Sequence, residues 1–142
     1  MRDIDPTTPA PNVWACLAYR NAKEAIRFLV DAFGFEERLV CPGDGDREIL
    51  HAELMWPPGG GIMLGSTSET AAGDEFASRP AGAASTYCVC DDPDEAFARA
   101  KGAGAEVVQE IKDEDYGSRG FTVRDPEGNL WSFGTYRGSP RG

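Results

Sequence analysis

No run of this sequence is apolar for long enough to span a bilayer, and the N-terminus carries Asp3, Asp5 and prolines where a targeting leader has basic and then apolar residues. These absences predict a cytoplasmic protein with no membrane partner. Basic residues are scarce too: Lys and Arg number 14 against 24 Asp and Glu, and the net charge of −10 divides into −5 for residues 1–70 and −5 for residues 71–142. Phosphate backbones need a basic surface, so no nucleic-acid partner is expected; the acidity suits solubility and neutral or cationic small molecules. Histidine occurs once, at His51, and the cysteines Cys16, Cys41, Cys88 and Cys90 lack the paired spacing of a zinc site. At 142 residues the chain is long enough to bury a core without disulfide staples, so the cysteines read as reduced, with Cys88 and Cys90 filling the core. The glycine run Gly59-Gly60-Gly61 follows two prolines and opens no helix, which makes it a turn and not a phosphate cradle.

What is present is most legible at the end of the chain. Asp125-Pro126-Glu127-Gly128 is a turn between two strands, and downstream Trp131, Phe133 and Thr135 share one face while Leu130, Ser132, Gly134 and Tyr136 share the other. The first of these faces is expected to pack on helices and the second to line a cavity. Earlier, Pro11 to Arg20 reads as a strand buried on both faces. Asn21 with Glu24 forms a capping box for a helix whose stripe is Ala25, Ile26, Leu29 and Phe33, ended by Gly34. Strands are expected over 35–40, 48–56 and 61–65, and in the third strand His51 shares a face with Ile49, Glu53 and Met55 while Leu50, Ala52, Leu54 and Trp56 face the helix. The pattern then restarts: a strand over 84–90, a helix capped by Asp92 with Pro93 at its first position, a strand over 105–111, and the hairpin. The two halves repeat at an offset near seventy residues, as two similar modules. The expected organisation is an arm at 1–10, a first βαβββ module at 11–66, a linker at 67–83 and a second module at 84–137. One helix covers one face of each module, so the other face awaits the second module, a second chain or a ligand.

The two-fold βαβββ order, the helix ending in Phe33-Gly34-Phe35 and the run Asp125-Pro-Glu-Gly-Asn-Leu-Trp131 resemble the glyoxalase/bleomycin-resistance/dioxygenase superfamily, also called vicinal oxygen chelate, over residues 11 to 137. His51-Ala52-Glu53-Leu54 and Tyr116-Gly117-Ser118-Arg119 look most like its small glyoxalase-like bacterial members. The resemblance implies an α+β fold of two βαβββ modules forming a curved mixed sheet around a cleft. It also implies a divalent metal held by one side chain, usually His or Glu, from each of four strands. Carried over singly, those positions fall on Trp14, on Met63 or a neighbour, on Ser85 and on Ser132. None is a ligand for a hard divalent ion. No cofactor is therefore expected, and a divalent metal held by other residues stays open.

His51 and Glu53, two apart on the open face, are the catalytic candidates, as general base and orienting group or as two ligands of a displaced metal site; equally, His51 bonds a cleft wall and Glu53 is solvated. Trp14 and Tyr87, with Cys16 and Met63 between them, suit stacking on a flat or hydrophobic guest beside Ser85 and Ser132. Arg119 either clamps a ligand carboxylate or pairs with Glu114 or Asp115. The functional expectation is metal-independent binding of a small hydrophobic or aromatic molecule by a homodimer, as in the drug-sequestering branch of the family. The alternatives are a lyase, isomerase or dioxygenase-type enzyme using His51 and Glu53, and an assembly partner with a vestigial cleft.

Overall fold

In the computed structural model, which describes residues 11–70 and 73–139, the chain follows two βαβββ units. The arm expected at 1–10 lies outside the described residues. The first unit comprises β1 (Ala15–Tyr19), α1 (Ala22–Phe28), a π-helical turn (Leu29–Phe33), β2 (Glu36–Pro42), β3 (Ile49–Met55) and β4 (Gly61–Ser66). The second comprises β5 (Ser85–Val89), α2 (Pro93–Gly102), β6 (Glu106–Asp113), β7 (Arg119–Arg124) and β8 (Leu130–Gly134). Each unit folds into a four-stranded mixed sheet, in the orders β1-β4-β3-β2 and β5-β8-β7-β6, with the first strand parallel to the last and the other pairs antiparallel. The repeat is kept strand by strand: Ala15 and Ser85, Glu36 and Glu106, and Ile49 and Arg119 open matching strands 70 residues apart.

Local sequence accounts for both helices. Ala22, Ala25, Ile26 and Leu29 make the buried stripe of α1, and Gly34, at φ 88°, ends the π-helical turn in a left-handed conformation that glycine adopts without strain. The capping box expected at Asn21 does not form, since its side chain makes no cap hydrogen bond. The backbone N–H groups of Arg20 and Asn21 instead donate to the Glu127 carboxylate at 2.7 and 2.8 Å, and that of Lys23 donates to Glu48 at 3.1 Å. A full negative charge at a helix N-terminus is a stronger acceptor than a neutral amide, so the distant carboxylates win. In α2 the expected cap is present: Asp92 accepts the N–H of Glu95 at 3.1 Å, with Pro93 in the first turn.

The helix-facing sides of both sheets enclose one core. Leu17, Tyr19, Leu54, Ile62 and Leu64 from the first sheet and Cys88, Phe121, Val123, Trp131 and Phe133 from the second are all buried in it. Phe33 joins them, its ring 5.3 Å from Trp131 and 4.8 Å from Phe133. Burying each such side chain stabilises by about 1.5–3 kcal/mol, so this seam fixes the two units against each other. The β7–β8 turn adds a polar joint. Asp125 accepts from the Tyr19 hydroxyl at 2.8 Å, from Asn129 Nδ2 at 2.9 Å, from Trp131 Nε1 at 3.1 Å and from the N–H groups of Glu127 and Asn129.

The shared core decides what happens to the opposite faces. Both helix sides are spent on each other, so the outer face of each sheet is left open. The expectation that β1 is buried on both faces is therefore corrected: Val13 is 86% exposed, and Ala15 and Cys16 are exposed as well.

Candidate functional site

A cavity of about 530 Å³ lies against the open face of the first sheet. Its floor is Cys16 and Ala18 on β1, Met63 and Gly65 on β4 and Leu50 and His51 on β3; its wall is Phe76, Arg79 and Pro80 from the segment between the units. The floor arises from strand alternation, since Leu17, Leu64 and Ser66 turn inward while Met63 and Gly65 face out. Leu50 reaches the cavity through a break in that alternation. Cys41 pairs with His51 but Pro42 pairs with Ile49, so Leu50 is an extra residue bulged out of β3. The expected faces are corrected accordingly: Ile49 is buried, Leu50 is exposed, and Met55, expected on the open side, is buried.

The wall is more ordered than the linker expected there. Asp74 Oδ1 accepts the N–H groups of Phe76 and Ala77, and Asp74 Oδ2 accepts from Arg47 at 3.3 Å, while Ala77 is buried and its carbonyl takes the N–H of Ser68 at 2.7 Å. Phe76 stays 72% exposed at the rim.

The residues singled out in the sequence divide between the two open faces. His51 lines the cavity, half-buried, with Nε2 3.0 Å from Glu53 Oε2. Cys16 and Met63 line it too and are register partners on adjacent strands. Trp14 packs on the same sheet, where its ring fills the space that a Cβ at Gly61 would need, 2.8 Å away. Ser85, Tyr87 and Ser132 belong to the second sheet. Tyr87 lies over Gly134 and donates to the Tyr136 carbonyl at 2.7 Å, and the Ser132 hydroxyl is 2.7 Å from that of Thr122. Trp14, Cys16 and Met63 thus share the first sheet, and Tyr87 lies on the second. Arg119 is engaged, bidentate with Asp94 at 2.9 and 3.0 Å and 3.2 Å from Asp113, in place of the Glu114 or Asp115 expected.

Sequence reasoning passed over Leu50, Phe76, Arg47 and Arg79. The bulge hid the first, and the others sit in or against a segment without periodicity. The Gly59-Gly60-Gly61 turn did carry a usable signal, because a glycine opposite an aromatic leaves room for the ring.

The arrangement does not suit the divalent ion that the resemblance implies. Among the described residues no three His, Cys, Asp or Glu side chains gather into a group that could hold a metal. Burial pushes the Cys88 thiol up to about 12, and burial with the nearby Asp91 pushes Cys90 up to about 11, which keeps both as thiols at neutral pH. What the site offers is an apolar, sulfur-rich floor, one aromatic at the rim and a hydrogen-bonded His–Glu pair.

Comparison with known proteins agrees with this fold. The family model described as Glyoxalase/Bleomycin resistance protein/Dioxygenase superfamily matches residues 12–133. The crystal structure of TioX from Micromonospora sp. ML1 is 34% identical and superposes with a TM-score of 0.70, covering 88% of this chain and 98% of that one. An uncharacterized protein of Mycobacterium bovis is 34% identical over 122 residues, which are 83% of this chain and 78% of the relative. A superfamily member from Sphaerobacter thermophilus shares the fold at 20% identity and a TM-score of 0.64, with 89% of this chain and 97% of that one covered.

Proposed function

Because this chain belongs to the Glyoxalase/Bleomycin resistance protein/Dioxygenase superfamily, we propose that it binds a small hydrophobic or aromatic molecule without a metal, on the open face of its first sheet. The observation that carries the reading is the cavity of about 530 Å³ floored by Cys16, Leu50 and Met63, a size and lining suited to a small organic molecule. His51, bonded to Glu53, adds a polar group to the floor. We place the protein in the cytoplasm as a homodimer, in which a second copy covers the exposed Val13 just before β1 and Tyr87 on the second sheet and leaves the cavity of the first sheet open to its ligand.

The test is thermal unfolding in excess EDTA with N-phenyl-1-naphthylamine as a neutral aromatic probe. A ligand at a hundred times its Kd adds about 2.7 kcal/mol, a rise of roughly 8 °C for a chain of this size. Cys16→Trp, which fills the floor, is expected to remove the rise. No rise with this or any probe of a broad aromatic set contradicts the proposal.

One observation favours a second reading, an enzyme of lyase, isomerase or dioxygenase type. The His51–Glu53 bond at 3.0 Å orients the imidazole of a residue that lines the cavity. Glyoxalase-type turnover that His51→Ala abolishes while probe binding persists would establish it; binding without turnover leaves the binder.

A further inference from the structure

We propose that the ligand of this cavity is an organic anion, its apolar body against Leu50, Met63 and Phe76 and its carboxylate-like head on Arg79. The inference rests on the small-molecule reading above and adds the charge of the molecule. It follows from the groups lining the cavity. Beside the Cys16 thiol, Arg47, His51, Asp74 and Arg79 are its ionisable side chains. Three are already committed. Arg47 donates through Nε to the Ser66 carbonyl at 3.2 Å and through Nη1 to Asp74 at 3.3 Å. Asp74, the one acidic residue of the lining, uses its second oxygen on the N–H groups of Phe76 and Ala77. His51 faces Glu53.

Arg79 differs from all of these. Its backbone N–H bonds the Phe76 carbonyl at 3.4 Å, but among the described residues its guanidinium has no acceptor. A planar fork of five uncommitted N–H donors therefore belongs to the same lining as an apolar floor and the exposed Phe76, a combination that matches a carboxylate, sulfonate or phosphonate on a flat body. With Arg47 and Asp74 neutralising each other and Glu53 bonded to His51 and outside the lining, Arg79 is the one lining cation without a carboxylate partner among the described residues.

The whole-chain charge of −10 pulls the other way and underlies the sequence-level expectation of neutral or cationic guests. Distance decides between the two. Exposed charges are screened over about 10 Å at 0.1 M salt, whereas a head in contact with Arg79 is not. The local pair therefore sets the preference.

The experiment is a pair of fluorescence titrations in 0.1 M salt, with 8-anilinonaphthalene-1-sulfonate and with N-phenyl-1-naphthylamine, the same ring system without the sulfonate. Arg79→Gln is expected to weaken the sulfonate by about tenfold and to leave the neutral probe within about twofold, with Arg79→Lys recovering part of the loss. Arg79→Gln leaving both affinities unchanged, or lowering both equally, overturns the anion assignment while the cavity reading stands. Wild-type protein binding neither probe, or binding both undiminished by Cys16→Trp, overturns the cavity reading and this inference with it. Arg79 is exposed, and near-ultraviolet circular dichroism confirms that each variant folds.

Discussion

Asp125 is 4% exposed and ionisable, and it survives burial because five donors surround it, Tyr19 of the other unit among them. Removing it orphans the Tyr19 hydroxyl and the Trp131 indole N–H at once. Asp125→Ala is expected to cost about 3–5 kcal/mol, read as a lower midpoint in urea denaturation; a loss under about 1 kcal/mol contradicts the joint described here. The thiols give a pH prediction. Cys88 and Cys90 have folded-state values raised to about 12 and about 11 from an ordinary 9.0, so their contribution to stability is complete below pH 9 and is lost as pH rises toward 11 to 12. Burial pushes the Tyr19 phenol up as well, with the same sign from pH 10 upward. The melting temperature should be flat between about pH 7 and 9 and fall above it, with a shallower fall in a Cys88→Ala/Cys90→Ala variant. A fall of equal steepness in that variant assigns the alkaline loss elsewhere.

At the scale of elements, the two helix starts look alike in sequence and differ in structure. Asp92→Ala removes a cap that is made and should cost about 1 kcal/mol, whereas Asn21→Ala removes one that is not and should stay within a few tenths. Equal losses in chemical denaturation contradict the assignment of the α1 start to Glu127 and Glu48. This contrast also marks what was legible in the chain. The 70-residue repeat, the stripe of α1, the Asp92 cap and the Asp125–Gly128 turn are local patterns, and each is present. The carboxylate that caps α1 lies more than a hundred residues away, the Leu50 bulge depends on pairing with β2, and the cavity wall at 73–80 is tied down by Arg47 from the β2–β3 loop. No window of sequence holds both partners of such contacts. The candidate site was legible on the same terms: strand alternation put His51 and Glu53 outward and the family's strand positions led to Cys16 and Met63, but neither pointed to Phe76 or Arg79 in the cavity wall. For Arg119 the sequence offered a ligand carboxylate or the neighbouring Glu114 and Asp115, and missed Asp94 because it belongs to a different element.

For the whole molecule, the shared core leaves two open sheet faces, with Tyr87 47% exposed on the second. Light scattering is expected to give twice the chain mass of 15.3 kDa, and Val13→Asp with Tyr87→Asp to give the monomer; a wild-type monomer at micromolar concentration contradicts the dimer. Among the described residues no helix is long and apolar enough to cross a membrane.

The central claim is that a small aromatic molecule binds the first open face with no metal present. The most direct test is an NMR titration of isotope-labelled protein in EDTA with N-phenyl-1-naphthylamine, following backbone amides. The account predicts saturable shifts centred on Cys16, Leu50, His51, Met63 and Gly65, with Tyr87 and Ser132 of the second sheet little changed. Shifts confined to the second sheet, or appearing only after a divalent metal is added, would contradict it.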